Sequence, residues 1–206
     1  MFEIELKFAV TDLATFECRL AEIGALPQSV QVHSDTYYNH PCRDFVETRE
    51  ALRVRRCDGV PMITYKGAKL PGIVKARREM EWRLDPGDAD GRKTEELLVA
   101  LGFRHVATVS KRRQTFVIAG PPGEPSGMTK STPPAAAGQH SIAITIDQVE
   151  AVGTYTEIEI TLDHAQPSEE TLAVARAEIS AIAVSLGLTE PEPRSYLRML
   201  LDTSGS

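Results

Sequence analysis

The sequence predicts an α+β fold: a closed eight-stranded antiparallel β-barrel, a tunnel with a polar interior, jacketed by helices. Three observations carry this expectation. About eight segments alternate with period 2, so charged and apolar residues fall on opposite faces. In five of them the charges are doubled at i, i+2, where like charges repel on an open solvated sheet. Three further segments repeat apolar residues at spacings of 3 and 4, and amphipathic helices need an apolar surface to cover. Charges pointing inward, with the apolar strand faces outside under the helices, satisfy all three.

The elements follow in order. Phe2, Ile4, Leu6 and Phe8 alternate with Glu3, Glu5 and Lys7, which makes a strand. Thr11 or Asp12 caps a helix through Leu13, Phe16, Leu20 and Ile23, and Gly24 stops it. An extended run from Ser29 to Asn39 ends at Pro41, and a loop carrying Arg43, Asp44 and Glu47 follows. Ala51–Cys57 and Met62–Gly67 flank Asp58-Gly59, a hairpin signal. Pro71-Gly72 is a turn, and Val74–Leu84 is a long strand ended by Asp85-Pro86-Gly87. Asp88 or Asp90 opens a second helix through Leu97, Leu98 and Leu101 to Gly102. Val106–Ala119, Ile142–Val149 and Tyr155–Leu162 are strands. Ser168-Glu169-Glu170 opens a third helix ending at Gly187, and a short helix lies around Ser195–Leu201. Gly120–Gly138 holds five of the thirteen prolines and reads as a loop between two barrel strands. The expectation is one domain over residues 1–201 with that loop inserted.

Composition narrows the function. At 206 residues, 42% hydrophobic and 25% charged, the chain can bury a core without staples. A net charge of −6 removes a global basic footprint for nucleic acid but leaves room for a locally basic cleft. Three cysteines without a CxxC pair and five scattered histidines suggest neither a disulfide framework nor a zinc site. No basic region followed by an apolar run opens the chain, and Leu172–Leu188 contains Arg176 and Glu178, so neither a signal peptide nor a membrane span is expected. The expectation is a cytoplasmic protein with no membrane or nucleic-acid partner, a monomer or homodimer. Gly127-Met128-Thr129-Lys130-Ser131-Thr132 lacks the spacing of a P-loop.

The charged strand faces hold Glu3, Glu5 and Lys7; Arg53 and Arg55; Lys66; Arg77, Glu79 and Glu81; Lys111 and Arg113; Asp147; Glu157 and Glu159. Basic and acidic strands are segregated, as though serving different parts of one ligand.

These residues carry a family resemblance. Glu3-Ile4-Glu5-Leu6-Lys7 is similar to the ExExK motif of the CYTH group, the triphosphate tunnel metalloenzymes, which includes class IV adenylyl cyclases, thiamine triphosphatases and inorganic triphosphatases. Arg53-Val54-Arg55, Thr64-Tyr65-Lys66-Gly67, Lys111-Arg112-Arg113, Ile146-Asp147 and Glu157-Ile158-Glu159 resemble its later strand motifs in the same order. Asp35-Thr36-Tyr37-Tyr38-Asn39 through Glu50-Ala51-Leu52-Arg53 most resembles the class IV cyclase branch; the Gly120–Gly138 loop is longer than the family pattern.

A triphosphate carries about four negative charges, and Lys7, Arg53, Arg55, Lys66, Lys111 and Arg113 offer arginine forks and lysine point charges to its oxygens. Without ligand, these six cations are expected to repel one another. Glu3, Glu5, Asp147, Glu157 and Glu159 are hard oxygen donors with no Cys or His among them, which suits Mg²⁺ or Mn²⁺. The resemblance implies Glu3, Glu5 and Glu159 as direct ligands, with Asp147 and Glu157 binding a second ion or orienting water. Arg77, Glu79, Glu81 and Tyr37 are further tunnel residues by parity; His33 and His105 read as structural or exposed.

The substrate expected is therefore a small triphosphate. The first reading is a class IV adenylyl cyclase, a lyase converting ATP to cyclic AMP and pyrophosphate. The alternatives are a triphosphatase, a hydrolase acting on inorganic triphosphate, thiamine triphosphate or a nucleotide, and a non-catalytic polyphosphate- or nucleotide-binding module.

Overall fold

The computed structural model describes residues 1–70, 74–118, 141–162 and 166–204. The Pro71-Gly72 turn, the Gly120–Gly138 loop and the Gly127–Thr132 segment lie outside the described residues.

The alternating N-terminus forms β1 (Phe2–Ala9). Asp12 caps α1 (Leu13–Glu22), its carboxylate accepting from the Thr15 backbone N–H at 3.0 Å. Gly24 follows at φ 72°, the left-handed geometry a glycine takes without steric cost. Strand β2 (Ala25–Asn39) starts four residues earlier than the sequence suggests. Pro27 lacks the N–H that a regular ladder uses, and a register shift between Pro27 and Val30 absorbs it. The expected loop after Pro41 contains a short helix, α2 (Phe45–Thr48), capped by Asp44. Strand β3 (Ala51–Cys57) and strand β4 (Val60–Lys66) form a hairpin across Asp58 (φ 49°) and Gly59 (φ 84°). Two positive-φ residues between paired strands match the twist of the hairpin, so β4 begins at once after Gly59.

Strand β5 (Lys75–Arg83) leads to α3 (Arg92–Ala100). Both aspartates expected to cap α3 do so from outside the helix, around Gly91 at the cap position. Asp88 accepts from the Lys93 and Thr94 backbone N–H groups, and Asp90 from that of Arg92. Strands β6 (Arg104–Ile118), β7 (Ser141–Val149) and β8 (Gly153–Leu162) complete the sheet. Ser168 caps α4 (Glu169–Ser185), and α5 (Tyr196–Ser204) ends the described chain.

The eight strands pair antiparallel in the order β1-β5-β4-β3-β2-β6-β7-β8, and β8 returns to β1 to close the barrel. The expected inside-out arrangement is present. Outward residues of β1, β7 and β8 (Ile4, Leu6, Ile144, Ile158, Ile160) pack under Phe16 and Leu20 of α1 and Leu172, Ala175 and Ile179 of α4. A second cluster joins Leu52, Val54 and Ile63 to Phe45 of α2 and Leu98 of α3. The fifth helix behaves differently. Tyr196 and Met199 of α5 pack on Tyr37, Val109 and Val149, which share the parity of the charged residues. Helix α5 therefore lies against the inner face rather than in the jacket. No helix among the described residues is long and apolar enough to cross a membrane.

Candidate active site

The barrel encloses a cavity of about 460 Å³. Among the described residues, twelve lysine and arginine side chains and seven glutamates line it. A chain of net charge −6 thus gathers an excess of cations around one interior space. Every inward residue expected from parity lines the cavity except Asp147, which is fully buried beneath its partners Lys111, Arg113 and Tyr196.

Strand register explains how the charges meet. Asp35 of β2 stands opposite Arg55 of β3, with Tyr37 opposite Arg53. The Arg55 guanidinium donates from Nε and Nη2 to the two Asp35 oxygens, both at 2.7 Å, and Arg53 Nη1 donates to Asp35 at 3.2 Å. Burial alone would raise the Asp35 pKa, but Arg53 and Arg55 hold it far below the usual carboxylate range. Burial likewise opposes the charge on Arg53, and Asp35 outweighs it, holding that guanidinium above its ordinary value.

Across β6 and β7, Asp147 stands opposite Arg113. It accepts from Arg113 Nε at 2.7 Å, Lys111 Nζ at 3.0 Å and the Tyr196 hydroxyl at 2.9 Å. Arg113 also contacts Glu157. Burial would raise the Asp147 pKa, and Arg113 and Lys111 reverse it, leaving the carboxylate ionised. Burial, reinforced by Arg113, brings Lys111 down to about 8.

The third group lies on β1, β4 and β5. Glu3 accepts from Lys66 and, at 3.2 Å, from Arg77; Lys66 also reaches Glu79 at 2.9 Å; Lys75 donates to Glu5 at 2.8 Å. Burial would raise the Glu5 pKa, but Lys75 and Lys66 hold it well below its ordinary value. Glu159 stands directly opposite Glu5 in the β1–β8 register. Burial, then the like charge of Glu3, pushes the Glu159 carboxyl up to about 7. Lys7 lies opposite Glu157, and burial, then Lys75, brings it down to about 8.

Several residues here were not assigned from sequence. Lys75 had a signal, sharing the parity of Arg77, Glu79 and Glu81 two residues later. Asp35 shared the parity of Tyr37, but its pairing with both arginines depends on the β2–β3 register. Lys69, Arg194 and Tyr196 reach the cavity from outside the regular strands, where periodicity says nothing. Of the two histidines, His105 is exposed and edge-on to Tyr38 at 6.0 Å, and His33 is buried with Nε2 3.3 Å from Cys57 Sγ.

The CYTH domain profile matches residues 1–196. The chain belongs to the CYTH domain family. Two curated relatives agree in length. A protein of Methanocaldococcus jannaschii named as a candidate adenylate cyclase is 28% identical over 185 residues, covering 90% of this chain and 91% of its own. The adenylate cyclase CyaB of Aeromonas hydrophila is 27% identical over 203 residues, covering 95% and 86%. The solved structure of PH1819 from Pyrococcus horikoshii is similar with a TM-score of 0.74 and 32% identity, covering 97% of this chain and 98% of its own.

The acids of this CYTH barrel fit a hard divalent cation by donor chemistry. Glu159 is a half-buried carboxyl pressed by Glu3 and Glu5, and added positive charge would relieve that repulsion. Yet no group of three His, Cys, Asp or Glu among the described residues is gathered as a finished metal site. Glu3, Glu5 and Glu157 are engaged by Lys66, Lys75 and Arg113, so a metal would compete with those ion pairs. Asp147, fully buried, accepts from Lys111, Arg113 and Tyr196 and is placed to orient them.

Proposed function

We propose that this CYTH protein, one domain over residues 1–201, is a metal-dependent enzyme that binds a triphosphate-containing substrate in its barrel. The best reading is a class IV adenylyl cyclase that converts ATP to cyclic AMP and pyrophosphate. The observation that carries the triphosphate is the cation excess lining one cavity inside the barrel of a net-acidic chain. Such a site repels cations and attracts a polyanion. Arg55 and Arg113 keep their forks oriented by Asp35 and Asp147 while facing the cavity, which prepares them for phosphate oxygens. Lys7, Arg53, Lys66 and Lys111 complete the phosphate set, with Arg77, Glu79 and Glu81 holding its members in place. A cavity of about 460 Å³ has room for more than the phosphates.

Glu3, Glu5 and Glu159 are the residues that would hold Mg²⁺ or Mn²⁺, with Glu157 at the same wall. The metal, when bound, supplies Lewis-acid stabilisation of charge on phosphate oxygens. The chain's own contribution is to fix the triphosphate, neutralise the departing pyrophosphate and exclude bulk water. The cyclase-like stretch from Asp35 to Arg55 and the adenylate cyclase names of two relatives favour attack by the ribose 3′-hydroxyl at the α-phosphorus. The same cation set would serve a triphosphatase, in which water attacks a terminal phosphorus. Incubating the protein with ATP, thiamine triphosphate and inorganic triphosphate, each with Mg²⁺ or Mn²⁺, and identifying the products decides among them. Cyclic AMP with pyrophosphate supports the cyclase; orthophosphate supports the triphosphatase; binding without turnover leaves a non-catalytic module.

A further inference from the structure

Lys7 is a buried cation whose surroundings come from the far end of the chain. Its side chain is 1% exposed, and it stands opposite Glu157 across β1 and β8. The segment preceding α5 is stitched to β1 at this residue. Pro191 bridges Phe8, the Glu192 N–H donates to the Lys7 carbonyl at 2.7 Å, and Lys7 Nζ donates to the Arg194 carbonyl. The next residue but one, Tyr196, lays its ring 4.2 Å from Lys7 Nζ and 5.0 Å from Lys111 Nζ. Its hydroxyl donates to Asp147, the acid that also holds Lys111 and Arg113. Tyr155 meets the Tyr196 ring edge-on at 5.7 Å and lies 5.9 Å from Lys7 Nζ.

We propose that Tyr196 is a positioning residue for phosphate binding, its ring face fixing Lys7 and Lys111 as a pair against the triphosphate. A lysine stem is flexible, and two ammonium groups repel when brought to one ligand. An aromatic face near both attracts them without adding a further counter-charge, Lys111 being already paired with Asp147 and Lys7 donating to the Arg194 carbonyl. The ring also removes rotamer freedom before the ligand arrives, which lowers the cost of binding.

This rests on the triphosphate reading above, and the test separates the two. Inorganic triphosphate is titrated calorimetrically into the full chain as wild type, Tyr196→Phe, Tyr196→Leu, Lys7→Met and Lys7→Met/Tyr196→Leu, with thermal melts confirming folding. The expected result is tight binding by wild type, near-wild-type binding by Tyr196→Phe, and roughly tenfold weaker binding by Tyr196→Leu. Adding Tyr196→Leu to Lys7→Met should cost less than adding it to wild type, since one of the two held lysines is already gone. If Tyr196→Leu does not melt cooperatively, Tyr196→Met takes its place in the series. Wild type binding no triphosphate removes the functional reading and this inference with it. Wild-type binding retained by Tyr196→Leu overturns this inference alone and leaves packing as the role of Tyr196. Equal losses in Tyr196→Phe and Tyr196→Leu also overturn it, because the hydroxyl bond to Asp147 would then be the agent.

Discussion

His33 is buried and Glu159 half-buried, and they pull stability in opposite directions as pH changes. Burial, then Arg55, Lys111 and Arg113, holds the His33 imidazole down to about 3, and its Nδ1 finds no hydrogen-bond partner among the described residues. The unfolded chain therefore takes up a proton that the fold refuses. This contribution is complete above the unfolded value of about 6.5 and is lost as pH falls towards 3. Glu159 has a folded value raised to about 7 from an ordinary 4.5. Its contribution is complete below 4.5 and is lost as pH rises through 7. The whole-protein profile mixes the two, and single substitutions separate them. In metal-free protein, His33→Gln should gain on wild type in melting temperature as pH drops from about 7 to about 5. Glu159→Gln should gain on wild type over the same interval in the other direction. Parallel profiles for wild type and variant would remove the corresponding assignment.

The elements show what was legible in the sequence and what was not. The β3–β4 hairpin was readable because Asp58-Gly59 demands a two-residue turn, and the inward face because like charges recur at i, i+2. Helix α2 was missed because four residues are too few for a period to register. Cations that would repel one another in an empty tunnel make sense only beside acids or a polyanion, and the acids meet them by pairing across strands. Asp35, eighteen and twenty residues before Arg53 and Arg55, meets both only through β2–β3 register. Tyr196, 189 residues after Lys7, meets it only because the C-terminal segment returns to β1. The jacket is the other element-scale claim. On α4, Ile179 is fully buried against the barrel and Val184 is 75% exposed. Ile179→Ala should destabilise the protein by about 2–5 kcal/mol. Val184→Ala should stay within about 0.5 kcal/mol. Denaturant titrations measure both, and equal effects would place α4 off the barrel.

At the scale of the molecule, a net-acidic chain folds its cations inward and leaves Glu159 pressed by other carboxylates. Mg²⁺ or Mn²⁺ should therefore raise the melting temperature of wild type. It should do so much less for Glu159→Gln, which lacks one anionic donor. An equal metal-induced shift in the two would remove Glu159 from the metal set. The central claim is the phosphate clamp itself, and the triphosphate-induced rise in melting temperature tests it most directly. Inorganic triphosphate should raise the melting temperature of wild type. The rise should shrink in Arg55→Ala, Lys66→Ala and Arg113→Ala, each losing charge-assisted hydrogen bonds worth roughly ten- to a hundredfold in affinity. A rise that survives undiminished in all three would contradict the clamp and leave the interior as a structural salt-bridge network.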